Sequence, residues 1–501
     1  MRTTADGQTQ SRSGPRGRQR GVVLPHKYIV ILKNGSDVGS LDIHSRAAEH
    51  NRIAKEQLQL QQQLVNDGRL RVEEEAVPNQ VDHEYDFVTW KGYAGQFSPQ
   101  FLHELENHDD VDYIEEDTMM WAWGVPESED NNVGDGTNKG GELYSEPSTP
   151  VPNEGSPSRV SDDMDAEAII NGRNVHLDYY SLKTPSWGLT RIAQHARDLQ
   201  KDYTYASSAG SDVDVYVIDS GVFAEHGDFE GRARNLINFV GEEEATDMCG
   251  HGTHVSGIIA GKQFGVAKSA RILAVKVLDS EGQGSTSQVL AGINHVTKHA
   301  ANNPNTKKVI NMSLGGQFSR PVNEAVRTAV SKFGLPFFVA AGNTGDDACQ
   351  YSPAGVEEAF AVGGTDKHDN VGWYSCTGTC VDLFAPGSGI VSDWIRSKTS
   401  AHILDGTSMA SPHVAGVAAL FLGSGSIYHS AAELYSDIIQ HSTHSIVTGF
   451  SIHDHTSNRN LLYNKLEDIQ DSGTIRLVDE LAAQFEKDHT NSARRPRGRH
   501  N

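Results

Sequence analysis

The sequence predicts an α/β protein, with a doubly wound, mostly parallel sheet and helices on both faces, preceded by a small α+β domain. Three observations predict it. Across residues 185–464 short apolar runs alternate with helical segments, and continuous apolar strands separated by helices belong to parallel sheets covered on both faces. Ahead of residue 118 strand and helix signals alternate on a smaller scale. The chain has 501 residues, more than one core usually serves, and an acidic stretch rich in Ser, Pro, Asn and Gly separates the two regions.

The elements follow in order. Residues 1–25 are polar and basic and read as disordered; they hold no apolar run of the secretory type. The α+β domain takes residues 26–118. Tyr28–Leu32 is a strand ended by Asn34-Gly35. Glu49–Val65 is rich in Gln, Glu, Lys and Leu and reads as a helix. Asp86–Trp90 is a second strand, with extended chain to Tyr93. Pro99–Asn107 is a short helix, capped by Ser98 with Pro99 just inside. Val111–Glu115 is the last strand. Residues 119–184 read as an acidic linker that is easily cut. In the large domain the strands are Val213–Ile218, Ile272–Val277, Lys308–Met312, Pro336–Ala341 and Ala359–Val362. Its helices are Ser287–Ala301, Pro321–Phe333, Ser408–Leu422 and Ala431–Gln440. The tail, residues 465–501, carries an amphipathic segment around Leu477–Phe485 and a basic end.

Lys+Arg is 43 and Asp+Glu is 66, a formal net charge of -23, which argues against nucleic acid or an anionic membrane as partner. No run of the sequence is long and apolar enough to span a bilayer. The four cysteines, Cys249, Cys349, Cys376 and Cys380, can pair in three ways. Asn34-Gly35-Ser36 and Asn311-Met312-Ser313 fit the glycosylation pattern, the second inside a strand expected to be buried.

Chemistry concentrates at four places. Gly406-Thr407-Ser408-Met409-Ala410-Ser411-Pro412-His413 sets a serine on a tight turn that opens an apolar helix, where free backbone N–H groups can hold a developing oxyanion. Val215-Tyr216-Val217-Ile218-Asp219 ends a buried strand on an aspartate, which is costly unless paired. Gly250-His251-Gly252-Thr253-His254 opens a helix of small residues on a histidine. Val339-Ala340-Ala341-Gly342-Asn343 presents an amide at a strand end. Acyl transfer needs these parts: Ser408 as nucleophile, His251 as general base and then acid, Asp219 to hold the tautomer, and Asn343 with the Ser408 N–H as oxyanion donors. Singly, each has a structural alternative: Ser408 and His251 as helix caps, Asp219 and Asn343 as turn residues. Together, in the order Asp, His, Ser, they point to catalysis.

That order and those motifs resemble the subtilisin-like serine proteases, from about Trp187 to Tyr463. Gly265-Val266-Ala267-Lys268, Asn311-Met312-Ser313-Leu314-Gly315-Gly316, Tyr351-Ser352-Pro353-Ala354 and Cys380-Val381-Asp382-Leu383-Phe384-Ala385-Pro386-Gly387 are similar to the proteinase K and cerevisin branch. The resemblance implies a serine endopeptidase with Asp219, His251 and Ser408 as triad and Asn343 as oxyanion donor. It implies that Gly282-Gln283-Gly284 and Ser313-Leu314-Gly315 pair with an extended peptide; the lesser alternative is that Gly282 and Gly284 merely make a turn. Ala340, Ala341 and Gly342 would line a primary pocket for apolar or aromatic side chains. Asp346 and Asp347 are read as loop charges, so no acid demands a basic side chain there.

The front domain is similar to the inhibitory propeptide of the family, a ferredoxin-like domain that assists folding and then blocks the cleft. The expectation is a self-processed zymogen, cut somewhere in Thr118–Lys183, and a mature monomer acting on proteins and peptides. The resemblance also implies a Cys349–Cys380 disulfide, and a structural Ca²⁺ at Asp382 with the carbonyls of Glu357 and Ala359, where Asp382 would otherwise cap a turn. No cofactor is implied for the chemistry. Likeness to cerevisin points to secretion or a vacuole. The rivals are a non-catalytic binding protein that keeps the fold and a processing protease that cuts after basic residues.

Overall fold

The computed structural model describes residues 21–33, 79–124 and 186–465, with scattered gaps, plus short strands between 158 and 182 and a few positions near residue 53. Most of the expected Glu49–Val65 helix, the Asn34-Gly35-Ser36 site and the Leu477–Phe485 segment lie outside the described residues.

The large domain is built on seven parallel strands. Their order is Ala233–Asn238, Arg271–Lys276, Val213–Asp219, Lys307–Met312, Phe337–Ala340, Phe360–Thr365 and Leu383–Pro386. Alternation along a strand sends neighbouring side chains to opposite faces, and both faces here are covered. Val215 and Val217 pack with helices His251–Ala260 and Thr407–Gly423. Tyr216 and Ile218 pack with helices Thr286–Asn302 and Arg320–Phe333. Each such apolar side chain, fully buried, contributes ~1.5–3 kcal/mol, which is why these strands read as unbroken apolar runs. Asp219, Ser313 and Asn343 all fall at or just past the carboxyl ends of their strands, where open α/β sheets carry their sites.

The front domain is an antiparallel sheet in the order Val111–Ala122, Val23–Leu32, Trp90–Gln96, Gln80–Phe87. Val30, Leu32 and Tyr93 on one face cover Phe101 and Leu105 of helix Pro99–Glu106, which Ser98 caps as expected. The other face, with Ile29, Ile31, Tyr85 and Phe87, packs onto the same core as the two helices Thr286–Asn302 and Arg320–Phe333.

Three expectations are corrected. The single strand over Asp86–Trp90 is a hairpin that turns at Val88-Thr89. Val88 and Thr89 are not the usual turn residues, so their β-branched side chains hid the reversal. The last strand runs on to Ala122 instead of stopping at Glu115, because its far half pairs with the large domain. Strands also occur where a structureless linker was expected: Ser158–Arg159, Ala166–Ile170, Arg173–Leu177 and Tyr179–Leu182. Tyr179–Leu182 pairs with Tyr203–Ala206 of the large domain.

Candidate active site

Ser408 is the second residue of helix Thr407–Gly423, and Gly406 makes the turn into it. Pro412, one turn on, has no N–H to give to the Ser408 carbonyl. That carbonyl instead accepts from Ser313 Oγ at 2.9 Å, and Asn311 Nδ2 donates to the same Ser313 oxygen at 3.0 Å. Asn311 Oδ1 in turn accepts from Ser411 Oγ at 2.8 Å. The helix start is thus bolted to the end of strand Lys307–Met312.

His251 opens helix His251–Ala260. Its Nδ1 lies 2.8 Å from Asp219 Oδ1, with both side chains fully buried. Asp219 Oδ1 also accepts from the Ser220 N–H at 2.8 Å. His251 Nε2 has no hydrogen-bond partner among the described residues. Ser408 Oγ donates to the Ser313 carbonyl at 2.8 Å, so the third link of an Asp–His–Ser chain is open in this conformation. Asn343 Oδ1 accepts from Thr407 N and Thr407 Oγ1, both at 2.9 Å, which fixes the amide and leaves its Nδ2 as donor toward the cleft.

The cleft is filled. Gln283–Ser285 and Leu314–Gln317 flank the Val111–Ala122 strand and pair with it antiparallel, Gln283 opposite Trp121 and Leu314 opposite Ala122. The Gly282 carbonyl accepts from Ala122 N at 2.9 Å, and the Ser313 carbonyl from Trp123 N at 3.2 Å. Trp123 is buried beside Gly315 and Gly342. Ala340 and Ala341 are wholly buried behind them. Asp346 and Asp347 are engaged in their loop, accepting from Tyr351 Oη and Cys349 N.

A polypeptide held as an added strand beside a buried Asp–His pair has close parallels. Residues 210–466 match the model of the Subtilase family, and residues 27–121 that of the Peptidase inhibitor I9 domain. The chain belongs to the subtilase family. That is a family of serine-type endopeptidases, and this subtilase carries an I9 inhibitor domain ahead of the catalytic one. It is 47% identical over 247 residues to Subtilisin-like protease 2 of Pseudogymnoascus destructans, a match to 49% of this chain and 60% of that protein. It is 50% identical over 240 residues to Proteinase T of Parengyodontium album, covering 48% of this chain and 80% of the relative. Among solved structures, a cold adapted subtilisin-like serine proteinase superposes with a TM-score of 0.51 at 40% identity, over 56% of this chain and 99% of the other.

Residues around the subtilase site that sequence reasoning missed are polar groups placed by folding. Asp247 is buried and accepts from the N–H groups of Cys249, Gly250 and Thr253, from Thr253 Oγ1 and from Ser220 Oγ. It caps the helix that carries His251. It lies three residues ahead of the N-cap Gly250, outside the position where a helix-start signal is read, so folding and not sequence brings it to the helix. Burial raises this carboxyl above the usual range, against the pull of those donors. Asn311 and Thr407 stood inside the sequence motifs without a role, and Ser313 was given only a substrate-binding one; their bonds to Ser411, Asn343 and the Ser408 carbonyl form on folding. Cys349 and Cys380 are disulfide-bonded, and Cys249 and Cys376 are free. Burial pushes the Cys249 thiol up to about 12, so it carries little thiolate at neutral pH although it lies two residues before His251.

Proposed function

We propose that this chain is a serine endopeptidase made as a self-processed zymogen, with broad specificity and a preference for apolar or aromatic side chains. Ser408 attacks the peptide carbonyl, His251 takes its proton and returns it to the leaving amine, and Asp219 holds the imidazole tautomer. Asn343 Nδ2 and the Ser408 N–H receive the oxyanion. The observation that carries this reading is the buried His251–Asp219 pair at 2.8 Å with His251 Nε2 unpartnered among the described residues. Attack needs the Ser408 hydroxyl to leave the Ser313 carbonyl for that nitrogen.

Gly282, Gln283, Gly284, Ser313, Leu314 and Gly315 act as the two strands that grip substrate, and Ala340, Ala341 and Gly342 shape the primary pocket. Residues 26–118 serve as inhibitory propeptide and 185–464 as catalytic domain, with the processing bond between Thr118 and Lys183. The mature enzyme is a monomer. A disulfide at Cys349–Cys380 suits secretion or a vacuole, where thiols are oxidised. Among the described residues no helix is long and apolar enough to cross a membrane.

A structural Ca²⁺ fits one place. Asp382 is pushed up to about 7 by burial, and its Oδ2 accepts from the Ala361 N–H at 2.8 Å. A sunken carboxyl of this kind gains from a hard cation, which the carbonyls of Glu357 and Ala359 would complete. Such an ion supplies rigidity and takes no part in catalysis.

Expression of the full chain and of Ser408→Ala tests the reading. The wild type should cleave itself and label with a fluorophosphonate, and the variant should do neither. A wild-type chain that does neither is a binding protein. A peptide library in which basic side chains dominate would replace broad with processing specificity.

A further inference from the structure

We propose that the chain cuts itself between Trp123 and Gly124, and that the segment starting at Gly124 stays on the mature enzyme. This rests on the endopeptidase reading above and names the bond which that reading leaves open.

The approach to the bond is that of a substrate. Val111–Ala122 leaves its own sheet and continues between Gln283–Ser285 and Leu314–Gln317, with Met120 opposite Gly284 and Trp121 opposite Gly315. Strand addition of this kind supplies main-chain affinity and leaves side-chain pockets to decide register. The pocket here holds Trp123. The residue is 8% exposed, and its indole meets Tyr351 edge to face at 6.0 Å. A β-carbon on Gly315 would lie 2.5 Å from the indole Nε1, so the pocket wall must be glycine for this ring to enter.

The reacting atoms then fall at the bond after Trp123. A β-carbon on Gly406 would lie 2.5 Å from the Trp123 carbonyl oxygen, 2.9 Å from Asn343 Nδ2 and 3.3 Å from Gly124 Cα. The carbonyl and the amide donor therefore share one small space. A β-carbon on Gly124 would lie 3.6 Å from His251 Nε2, which sets the leaving amine's residue beside the acid that must protonate it. Ser408 Oγ bonds to the Trp123 carbonyl carbon and its proton passes to His251. The C–N bond to Gly124 breaks as that proton moves to the Gly124 nitrogen. Water then opens the ester, so one product ends in the Trp123 carboxylate and the other begins at the Gly124 amine.

The second product remains tied at its far end. Tyr179–Leu182 pairs with Tyr203–Ala206 over the register Tyr179 to Ala206 through Leu182 to Tyr203, and Ser158–Arg159 pairs with Tyr179–Leu182. Leu182 is buried in the catalytic core with Tyr203 and Tyr205. Opening the Trp123–Gly124 bond breaks none of these contacts.

Intact mass and N-terminal sequencing of the self-processed full chain test both halves. The expected products are a fragment ending at Trp123 and a mature chain beginning Gly124-Val125-Pro126. Trp123→Asp sends a carboxylate into an apolar pocket and should slow that cut at least about tenfold, whereas Trp123→Phe should cut at close to the wild-type rate. Melting of Trp123→Asp in the Ser408→Ala background, compared with Ser408→Ala alone, shows whether the variant folds. An active, fluorophosphonate-labelled enzyme cut at another bond overturns the assignment, as does a folded Trp123→Asp chain cut at Gly124 at the wild-type rate. A mature chain that begins at Lys183 or later overturns the retained segment. A wild type neither cut nor labelled sinks the endopeptidase reading instead.

Discussion

Asn343 gives its carbonyl oxygen to Thr407 twice, and this frees its nitrogen for the cleft. Asn343→Ala should lower kcat by roughly 10²–10³-fold, a magnitude taken over from subtilisin itself, with KM little changed. Steady-state kinetics on a chromogenic peptide measure it. A second residue behaves less simply. Asp393 is fully buried beneath the His251–Ala260 helix beside the Asp228 carboxylate, and among the described residues no N–H group donates to its carboxyl oxygens. His226 Nδ1 lies 3.3 Å away but already accepts from the Asp228 N–H, so it offers a lone pair rather than a proton. Burial first, and then the Asp228 carboxylate, through its charge and as acceptor of the Asp393 proton, hold Asp393 well above its ordinary value of 3.8, with Arg232 and Lys268 opposing. A raised folded-state value means that the native chain keeps a proton the unfolded chain gives up, so stability falls as pH rises above about 4. Asp393→Asn removes that titration. In the Ser408→Ala background it should raise Tm by about 2–4 °C at pH 8, for a gain of about 1 kcal/mol, and the gain should shrink toward pH 4. A gain that grows toward pH 4 would contradict this. Asp219, His251, Ser408 and Asn343 were singled out in sequence by residue type and position. Asp393 was not, because its burial beside Asp228 is set by elements distant in the chain.

At the scale of elements, the Val111–Ala122 strand does two jobs. Besides filling the cleft it caps two helices of the other domain. Asp117 accepts from Ser287 N at 3.0 Å and Ser287 Oγ at 2.6 Å, at the start of Thr286–Asn302. Glu115 accepts from Ser319 Oγ at 2.6 Å and Arg320 N at 3.1 Å, at the start of Arg320–Phe333. Helix starts leave N–H groups without partners, and a carboxylate there also meets the favourable end of the dipole. Asp117→Ala should cost about 1 kcal/mol of propeptide binding. Activity after self-cleavage would then appear several-fold sooner, as a time course with a chromogenic peptide would record. An unchanged lag would mean that this cap adds nothing to inhibition. The five strands and four helices expected in the large domain were legible almost to their ends, since each is apolar or periodic, whereas the strands Ala233–Asn238 and Leu383–Pro386 of the same sheet went unread. The Val88-Thr89 turn and the run from Glu116 to Ala122 were not. Neither bears a local signal, and both are set by what the chain packs against.

For the whole molecule, the disulfide and the Asp382 region brace the same part of the fold, at the edge of the parallel sheet. Cys380 lies two residues before Asp382 and is bonded to Cys349. A Ca²⁺ that binds only the native chain adds about 2.7 kcal/mol at a hundredfold excess over Kd. Ca²⁺ should therefore raise the Tm of Ser408→Ala by several degrees, EGTA should reverse the rise, and Asp382→Asn should abolish it. Scanning calorimetry at equal ionic strength decides, and a Tm indifferent to Ca²⁺ refutes the site. The order of elements, the two-domain plan and the four chemical motifs could be read from residue order alone, because helix and strand periodicity and the residues at strand ends and helix starts are local properties. Residue order could not tell that one strand serves two sheets, that Trp123 enters the pocket, or that residues expected to be linker pair with the catalytic domain. A strand's own side chains do not name its partner across a hundred residues, and that choice is made when the chain folds.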